Sequence, residues 1–204
     1  GASGAPTWRV ASVAALGVSP NIFAASALKV AVMIPQSGPA GLFGPSSKAC
    51  AVIDSVMDID YAAGRITYDH ADAIIDYIRK HDLALEWIIE THVHADHLSA
   101  APYIQAKLGG KIGIGDKIMV VQETFGKVFN EGTEFQRDGS QFDALFKDGD
   151  TFFFDNTAAV EIYTPGHTPA CMVHVMGNAA FVGDTLFMPD GGSARADFPG
   201  GDAG

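Results

Sequence analysis

Three histidines and one aspartate lie close together in one short stretch of the chain. They are His92, His94, Asp96 and His97, in the pattern His-x-His-x-Asp-His. Imidazole nitrogens and carboxylate oxygens bind zinc and iron, whereas an ordinary polar loop is rich in Asn, Ser and Gly. The chain has only 7 histidines, so their concentration here predicts a metal site.

Two later turns offer further metal ligands. His167 lies in Thr-Pro-Gly-His-Thr (164–168), and Asp184 lies in Gly-Asp-Thr (183–185). Taken singly, an aspartate after a strand is more often a turn former, and a lone loop histidine usually has no chemical role. A metal needs three or four convergent ligands. We therefore interpret these two residues and the histidine cluster as parts of one site.

The elements around the cluster predict where it lies in the fold. Residues 85–91 are apolar and rich in β-branched side chains, which indicates a buried strand. Residues 99–110 predict a short helix that ends at Gly109 and Gly110. The cluster then occupies a strand-to-helix turn. In α/β folds, ligands bind at that edge, beyond the carboxyl ends of the strands.

The rest of the pattern alternates strands and helices. An apolar face formed by Ala71, Ile74, Ile75 and Ile78 predicts a helix over 71–81. We assign no chemistry to His70 in the preceding loop or to His81 at the helix end, and we interpret His174 as a strand-surface histidine. Further strands are predicted over 49–54, 111–115, 150–155, 159–164, 171–177 and 179–184, and short helices over 120–129 and 140–146. This order predicts two facing sheets with helices outside, an αββα sandwich of the α/β class.

The bulk properties exclude several classes of protein. A chain of 204 residues is long enough for one α/β domain. Its net charge of −11 argues against a nucleic-acid partner. Its apolar N-terminal stretch, residues 10–27, is short for a membrane span. Cys50 and Cys171 do not suggest a disulfide framework, and both are expected to be buried thiols.

The order of these motifs resembles the metallo-β-lactamase superfamily. The resemblance is closer to its persulfide dioxygenase branch, which includes sulfur dioxygenases and β-lactamase-hydrolase-like proteins. It covers about residues 49–203. The stretches that carry it are THVHADHLSAAPY (91–103), TPGHTPAC (164–171), FVGDTLF (181–187) and GGSARADFPGGDA (191–203).

The resemblance implies a ligand set and a reaction. In this branch the positions of His92, His167 and Asp184 hold one Fe(II), which is the two-histidine, one-carboxylate arrangement of non-haem oxygenases. Enzymes of this branch oxidise glutathione persulfide with O2 to sulfite and glutathione, and the resemblance implies the same reaction here. The positions of His94, Asp96 and His97 orient ligands and waters, or hold a second metal.

Arg195 matches a family arginine near the site. It is expected either to hold a carboxylate of glutathione or to pair with Asp197.

Two alternatives remain open at this point. A dinuclear zinc hydrolase, such as a glyoxalase II-like thioesterase, would use the same N-terminal ligands with Zn2+. The other alternative is a metal-binding fragment with little or no activity. No histidine follows His174, and the family continues beyond this point with further elements. On that interpretation, residues 49–204 form a C-terminally truncated domain whose exposed sheet surface favours a homodimer.

The N-terminal segment, residues 1–48, has two interpretations. Residues 10–27 resemble an export leader, and residues 28–49 resemble the mature start of a periplasmic amino-acid-binding protein, which indicates a foreign segment. Alternatively, residues 28–34 are the first strand of a single domain and pair with the strand at 49–54. The leader-like residues favour export. Glutathione and ferrous iron favour the cytoplasm, and we predict a cytoplasmic protein because the longer, better-matched part of the chain carries that chemistry.

Overall fold

The computed structural model describes residues 31–33, 48–94, 97–132, 134–155, 157–177, 179–187, 191–193, 196 and 199–202. Asp96 and Arg195 lie outside the described residues, as do Asp197 and the leader-like residues 10–27.

Eleven strands, three helices and one short 3-10 turn make up the described fold. In chain order they are β1 (Ala31–Met33), β2 (Ala49–Ile53), β3 (Asp58–Asp60), β4 (Arg65–Thr67), α1 (Asp69–Lys80), β5 (Ala84–Ile89), α2 (Ala101–Leu108), β6 (Lys111–Gly115), α3 (Ile118–Val128), β7 (Ala144–Phe146), β8 (Thr151–Phe154), β9 (Thr157–Tyr163), β10 (Met172–Met176), β11 (Ala179–Phe181) and the turn Gly183–Thr185.

These strands form two large sheets and one small hairpin. The first sheet has the order β1-β2-β5-β6-β7, in which β2, β5, β6 and β7 are parallel and β1 is antiparallel to β2. The second sheet has the order β11-β10-β9-β8 and is antiparallel throughout. The strand predicted within 28–34 therefore pairs with the strand predicted at 49–54. The hairpin of β3 and β4 occupies a stretch without a predicted strand.

Helices cover the outer face of the first sheet. The four apolar residues of the predicted helix face, Ala71, Ile74, Ile75 and Ile78, are all buried in α1, which confirms that prediction. They pack in one cluster with Ile104 of α2 and with residues of β2 and β5, among them Cys50, Val52, Leu85 and Ile88. Alternation along a strand sends the intervening residues to the opposite face of the sheet. α1 begins at Asp69, so His70 lies in the helix and not in the preceding loop.

The main core lies between the two sheets. Ile53 and Ile89 of the first sheet pack with Phe154, Met172 and Phe181 of the second. The predicted arrangement of two facing sheets with outer helices is confirmed. Within the described parts of the chain, all three helices lie on the side of the first sheet. On the outer face of the second sheet, Phe153, Val160 and Ile162 are 61%, 39% and 43% exposed.

Two local predictions were wrong. His174 is not on the strand surface, because its face of β10 points into the core, where the ring is 0% exposed and pairs with Glu161. Residues 140–146 do not form a helix. They make a turn followed by β7, which pairs in parallel with β6. In both cases packing between sheets or strands outweighed the local pattern.

Candidate metal centre

The centre lies at one edge of the first sheet, where β2 and β5 end. Because these strands are parallel, their carboxyl ends meet at the same edge. Asp54 follows β2 directly, and Glu90, Thr91 and His92 follow β5. All four side chains are buried. The histidine loop is therefore next to a carboxylate from a neighbouring strand, which spacing along the sequence does not reveal.

The structure brings His92, His167 and Asp184 together. One potential ligand atom from each lies within 4.8 Å of those of the other two. His167 Nε2 is 3.5 Å from Asp184 Oδ2. The three residues are 1%, 6% and 5% exposed. His167 lies in the turn between β9 and β10, and Asp184 lies in the 3-10 turn after β11, so the second sheet supplies two of the three groups.

Thr91 and Gly183 join the two halves of the centre. The backbone N–H of Met172 donates to the carbonyl of Thr91 over 2.9 Å, which ties β10 to the histidine loop. Gly183 has a φ of +49°, and a Cβ atom there would lie 2.4 Å from Thr91 Oγ1. Only glycine allows this close approach without strain. The approach places Asp184 beside His92.

A chain of hydrogen bonds orients the His92 ring. Thr91 donates its backbone N–H to Asp54 Oδ1 over 2.7 Å and its hydroxyl to Asp54 Oδ2 over 2.9 Å. Thr91 Oγ1 also lies 2.9 Å from His92 Nδ1. Because the hydroxyl hydrogen is directed at Asp54, Oγ1 accepts from His92 Nδ1–H. The lone pair of His92 then resides on Nε2 and is available to a metal.

The electrostatics keep His92 neutral. Burial, followed by the nearby charge of His94, lowers the pKa of His92 to about 3. A neutral imidazole is the form that binds metals. No proton has to be removed from His92 at neutral pH before a cation binds.

His94 lies in a second group of buried residues. Its Nε2 is 3.2 Å from Asp54 Oδ1 and 3.5 Å from Glu90 Oε2. Burial opposes the charged ring, but the hydrogen bonds with Asp54 and Glu90 prevail and raise the pKa of His94 to about 10. The pKa of Asp54 is lowered. Burial raises this pKa, but the contacts with His94 and Thr91 outweigh burial. Burial raises the pKa of Glu90.

His97 and Cys171 lie beside these two groups. The ring of His97 stacks on that of His94 at 4.2 Å between centroids. Cys171 lies 3.1 Å from the hydroxyl of Thr168, next to His167, and burial raises the pKa of its thiol. Asp54, Glu90 and Thr91 were not predicted. The sequence placed them within the last residues of the predicted strands 49–54 and 85–91, whereas in the structure they follow β2 and β5.

The donor set fits a divalent metal ion. Two imidazoles and one carboxylate, all buried and convergent, match the two-histidine, one-carboxylate set of non-haem iron sites and also suit zinc. A second group of ligand type, formed by Asp54, Glu90 and His94, has the same spacing. In that group His94 Nε2 is hydrogen-bonded to Asp54 Oδ1 and lies 3.5 Å from Glu90 Oε2.

Comparison with known protein families identifies the class. The family profile of the metallo-β-lactamase superfamily matches residues 34–204, so the chain belongs to that superfamily. The superfamily binds divalent metal ions. The fold agrees with the crystal structure of ETHE1 from Myxococcus xanthus at a TM-score of 0.56 and 21% identity, covering 77% of this chain and 55% of that one.

Individual relatives support the branch predicted from the sequence. A probable metallo-hydrolase of Burkholderia pseudomallei is 51% identical over 172 residues, covering 79% of this chain and 58% of the relative. A β-lactamase hydrolase-like protein of Agrobacterium fabrum is 50% identical over 159 residues, covering 78% and 37%. The mitochondrial persulfide dioxygenase of Homo sapiens is 29% identical over 126 residues, covering 61% and 41%.

The chain thus spans between 37% and 58% of the length of these relatives. Within the residues that the structure describes, no helix is both long and apolar enough to cross a bilayer.

Proposed function

We propose that this chain carries the metal centre of a persulfide dioxygenase that binds one Fe(II) through His92, His167 and Asp184. One observation carries the proposal. These three ligand atoms converge, while His94 directs its Nε2 at Asp54 and Glu90. On this proposal, His92 of the histidine motif binds the metal, whereas His94 belongs to the neighbouring group with Asp54 and Glu90.

The proposed reaction consumes a glutathione persulfide anion, one dioxygen and one water, and releases glutathione, sulfite and a proton. The sulfane sulfur is oxidised and dioxygen is reduced, and the S–S bond breaks to return the thiol. Bound ferrous iron would supply the electron donation that activates dioxygen beside the persulfide sulfur.

The residues of the chain position the metal and its reactants. Thr91 and Asp54 hold the His92 ring in one tautomer. Two neutral imidazoles and one carboxylate leave an Fe(II) centre with a net positive charge, which favours an anionic persulfide. Arg195 remains our candidate for binding a glutathione carboxylate, with a pair to Asp197 as the other possibility, and Asp96 and His97 remain candidates for orienting waters.

A dinuclear zinc hydrolase is the second candidate. It is supported by the hydrolase name of the Burkholderia relative and by His94 Nδ1, a buried nitrogen without a hydrogen-bond partner among the described residues. However, a pKa of about 10 keeps the His94 ring protonated at neutral pH. Because Nε2 of His94 is directed at Asp54 and Glu90, a zinc ion would have to bind His94 through Nδ1.

The decisive measurement is the metal content of protein purified without added metal. We expect about one iron per chain. The iron should be lost in His167→Ala and retained in the control His81→Ala, because the His81 ring is hydrogen-bonded to the Tyr77 carbonyl of its own helix. Iron-loaded protein should consume dioxygen when given glutathione persulfide. About two zinc per chain, with cleavage of a glutathione thioester, would establish the hydrolase instead. Absence of stoichiometric metal would contradict both and support an inactive fragment.

A further inference from the structure

A mostly apolar cavity of about 280 Å³ adjoins the metal centre. It lies between the histidine loop, the start of α2 and β6. Its apolar lining includes Val93, Ala101, Ile112, Ile114 and Phe142. The proposed reaction steps above assign it no role.

The cavity reaches the metal ligands directly, because His92 is one of its lining residues. His94 and Glu90 also border it. A molecule inside the cavity would therefore lie against His92, one of the three proposed iron ligands.

The lining restricts what the cavity can hold. Most of the lining surface is apolar, although polar residues such as Ser99 and Gln141 also border it. Apolar cavities in proteins take up small apolar molecules such as benzene or xenon. The charged groups of glutathione would lose hydration on an apolar wall. The persulfide is an anion, and an apolar wall offers its charge no hydrogen bond. Of the two proposed substrates, only dioxygen is small and apolar.

We infer that this cavity holds dioxygen beside the metal centre and supplies it to the reaction. The inference rests on the proposed function, because it assigns a site to one of the two substrates. Ala101 and Ile114 are each 1% exposed, so changes in their side-chain volume alter the cavity and not the protein surface.

The first test uses metal-free protein and xenon, an apolar probe of similar size. Xenon NMR should detect xenon bound to the wild-type protein. The affinity for xenon should fall severalfold in Ala101→Leu, which fills the cavity, and rise in Ile114→Val, which enlarges it. Ala106→Leu makes the same substitution on the exposed side of α2 and should leave xenon binding unchanged. No xenon binding, or equal binding in Ala101→Leu, would overturn the inference even if the enzyme proves to be a dioxygenase.

The second test uses the iron-loaded protein. Ala101→Leu should raise the KM for dioxygen severalfold at saturating glutathione persulfide, with the KM for the persulfide unchanged. A raised KM for the persulfide alone would show that the cavity holds part of that substrate, and would overturn the inference. No dioxygen uptake by the wild-type protein would overturn the proposed function itself, and the xenon measurement distinguishes that failure from the absence of a cavity site.

Discussion

Thr91 is a small residue whose hydroxyl determines which nitrogen of His92 is available to a metal. Its oxygen lies 2.9 Å from both Asp54 Oδ2 and His92 Nδ1. Removal of the hydroxyl leaves Nδ1 without its acceptor, and the ring can then rotate or change tautomer. Partners of this kind typically change metal affinity by about 10-fold to 100-fold.

We expect Thr91→Val to weaken metal binding by about 10-fold or more, while Thr91→Ser, which keeps the hydroxyl, restores most of the affinity. Isothermal titration with Fe(II) or Zn2+ measures the effect. Thr151→Val, at an exposed position on β8, is the control for loss of a threonine hydroxyl. Equal affinity in Thr91→Val and wild type would refute the role of this hydrogen-bond chain.

Gly183 offers a second prediction at the residue scale. Comparison with Gly177 separates the effect of its positive φ from the effect of its close contact with Thr91. Gly183 and Gly177 have φ values of +49° and +60°. A Cβ atom added at Gly183 would lie 2.4 Å from Thr91 Oγ1, whereas one added at Gly177 would have no described atom within 4 Å. The two glycines therefore share the backbone conformation and differ in the close approach.

Gly177→Ala should lower the free energy of unfolding by about 1 kcal/mol through backbone strain alone. Gly183→Ala should lower it further and also weaken metal binding, because Asp184 moves with it. Urea unfolding and metal titration of the two variants test this, and equal effects would contradict the close approach.

At the scale of elements, the second sheet contains a buried histidine–glutamate pair in its core. Glu161 of β9 and His174 of β10 are register partners, and their Oε2 and Nδ1 atoms are 2.5 Å apart. Both side chains are 0% exposed. Removing one partner from such a pair leaves an uncompensated polar group in an apolar core, whereas replacing both with apolar residues does not.

We therefore expect Glu161→Ala to lower the free energy of unfolding by about 3 to 5 kcal/mol. The double variant Glu161→Leu/His174→Phe should recover most of that loss. Chemical denaturation of the two variants and the wild type measures both values. If the single variant were as stable as wild type, the pair would have no structural role in joining β9 to β10.

At the scale of the whole molecule, the two sheets differ in what covers them. Three helices lie over the first sheet, whereas on the second sheet Phe153, Val160 and Ile162 are exposed on one face. Val175 and the buried Val173 are opposite Val160 and Ile162 in register, so this apolar face spans β8, β9 and β10. Contiguous apolar surface of this kind favours association.

We expect the chain to self-associate with rising concentration, in line with the homodimer predicted from the sequence. Val160→Thr/Ile162→Thr should shift it toward the monomer, and sedimentation velocity measures the shift. Ile66→Thr, at an exposed position on the small hairpin, should have no effect. A wild-type chain that remains monomeric at high concentration would contradict the prediction.

The local pattern of the sequence predicted that His167 and Asp184 join the histidine cluster at 92–97 in one site, and the resemblance to the persulfide dioxygenase branch implied His92, His167 and Asp184 as one ligand set. Each has a distinctive local signature: a ligand-type side chain in a turn directly after a predicted strand. The apolar face of α1 and the alternation of strands and helices were predictable for the same reason, because periodicity depends only on neighbouring residues.

Only the tertiary structure revealed the partners of these ligands. Asp54 meets Thr91 because β2 and β5 are adjacent and parallel, and strand order is not a local property. Gly183 meets Thr91 because the second sheet packs on the first. His174 is buried for the same reason, although its neighbours in the sequence fit an exposed position equally well. Contacts between residues far apart in the chain depend on how the sheets assemble, and that assembly minimises the free energy of the whole core.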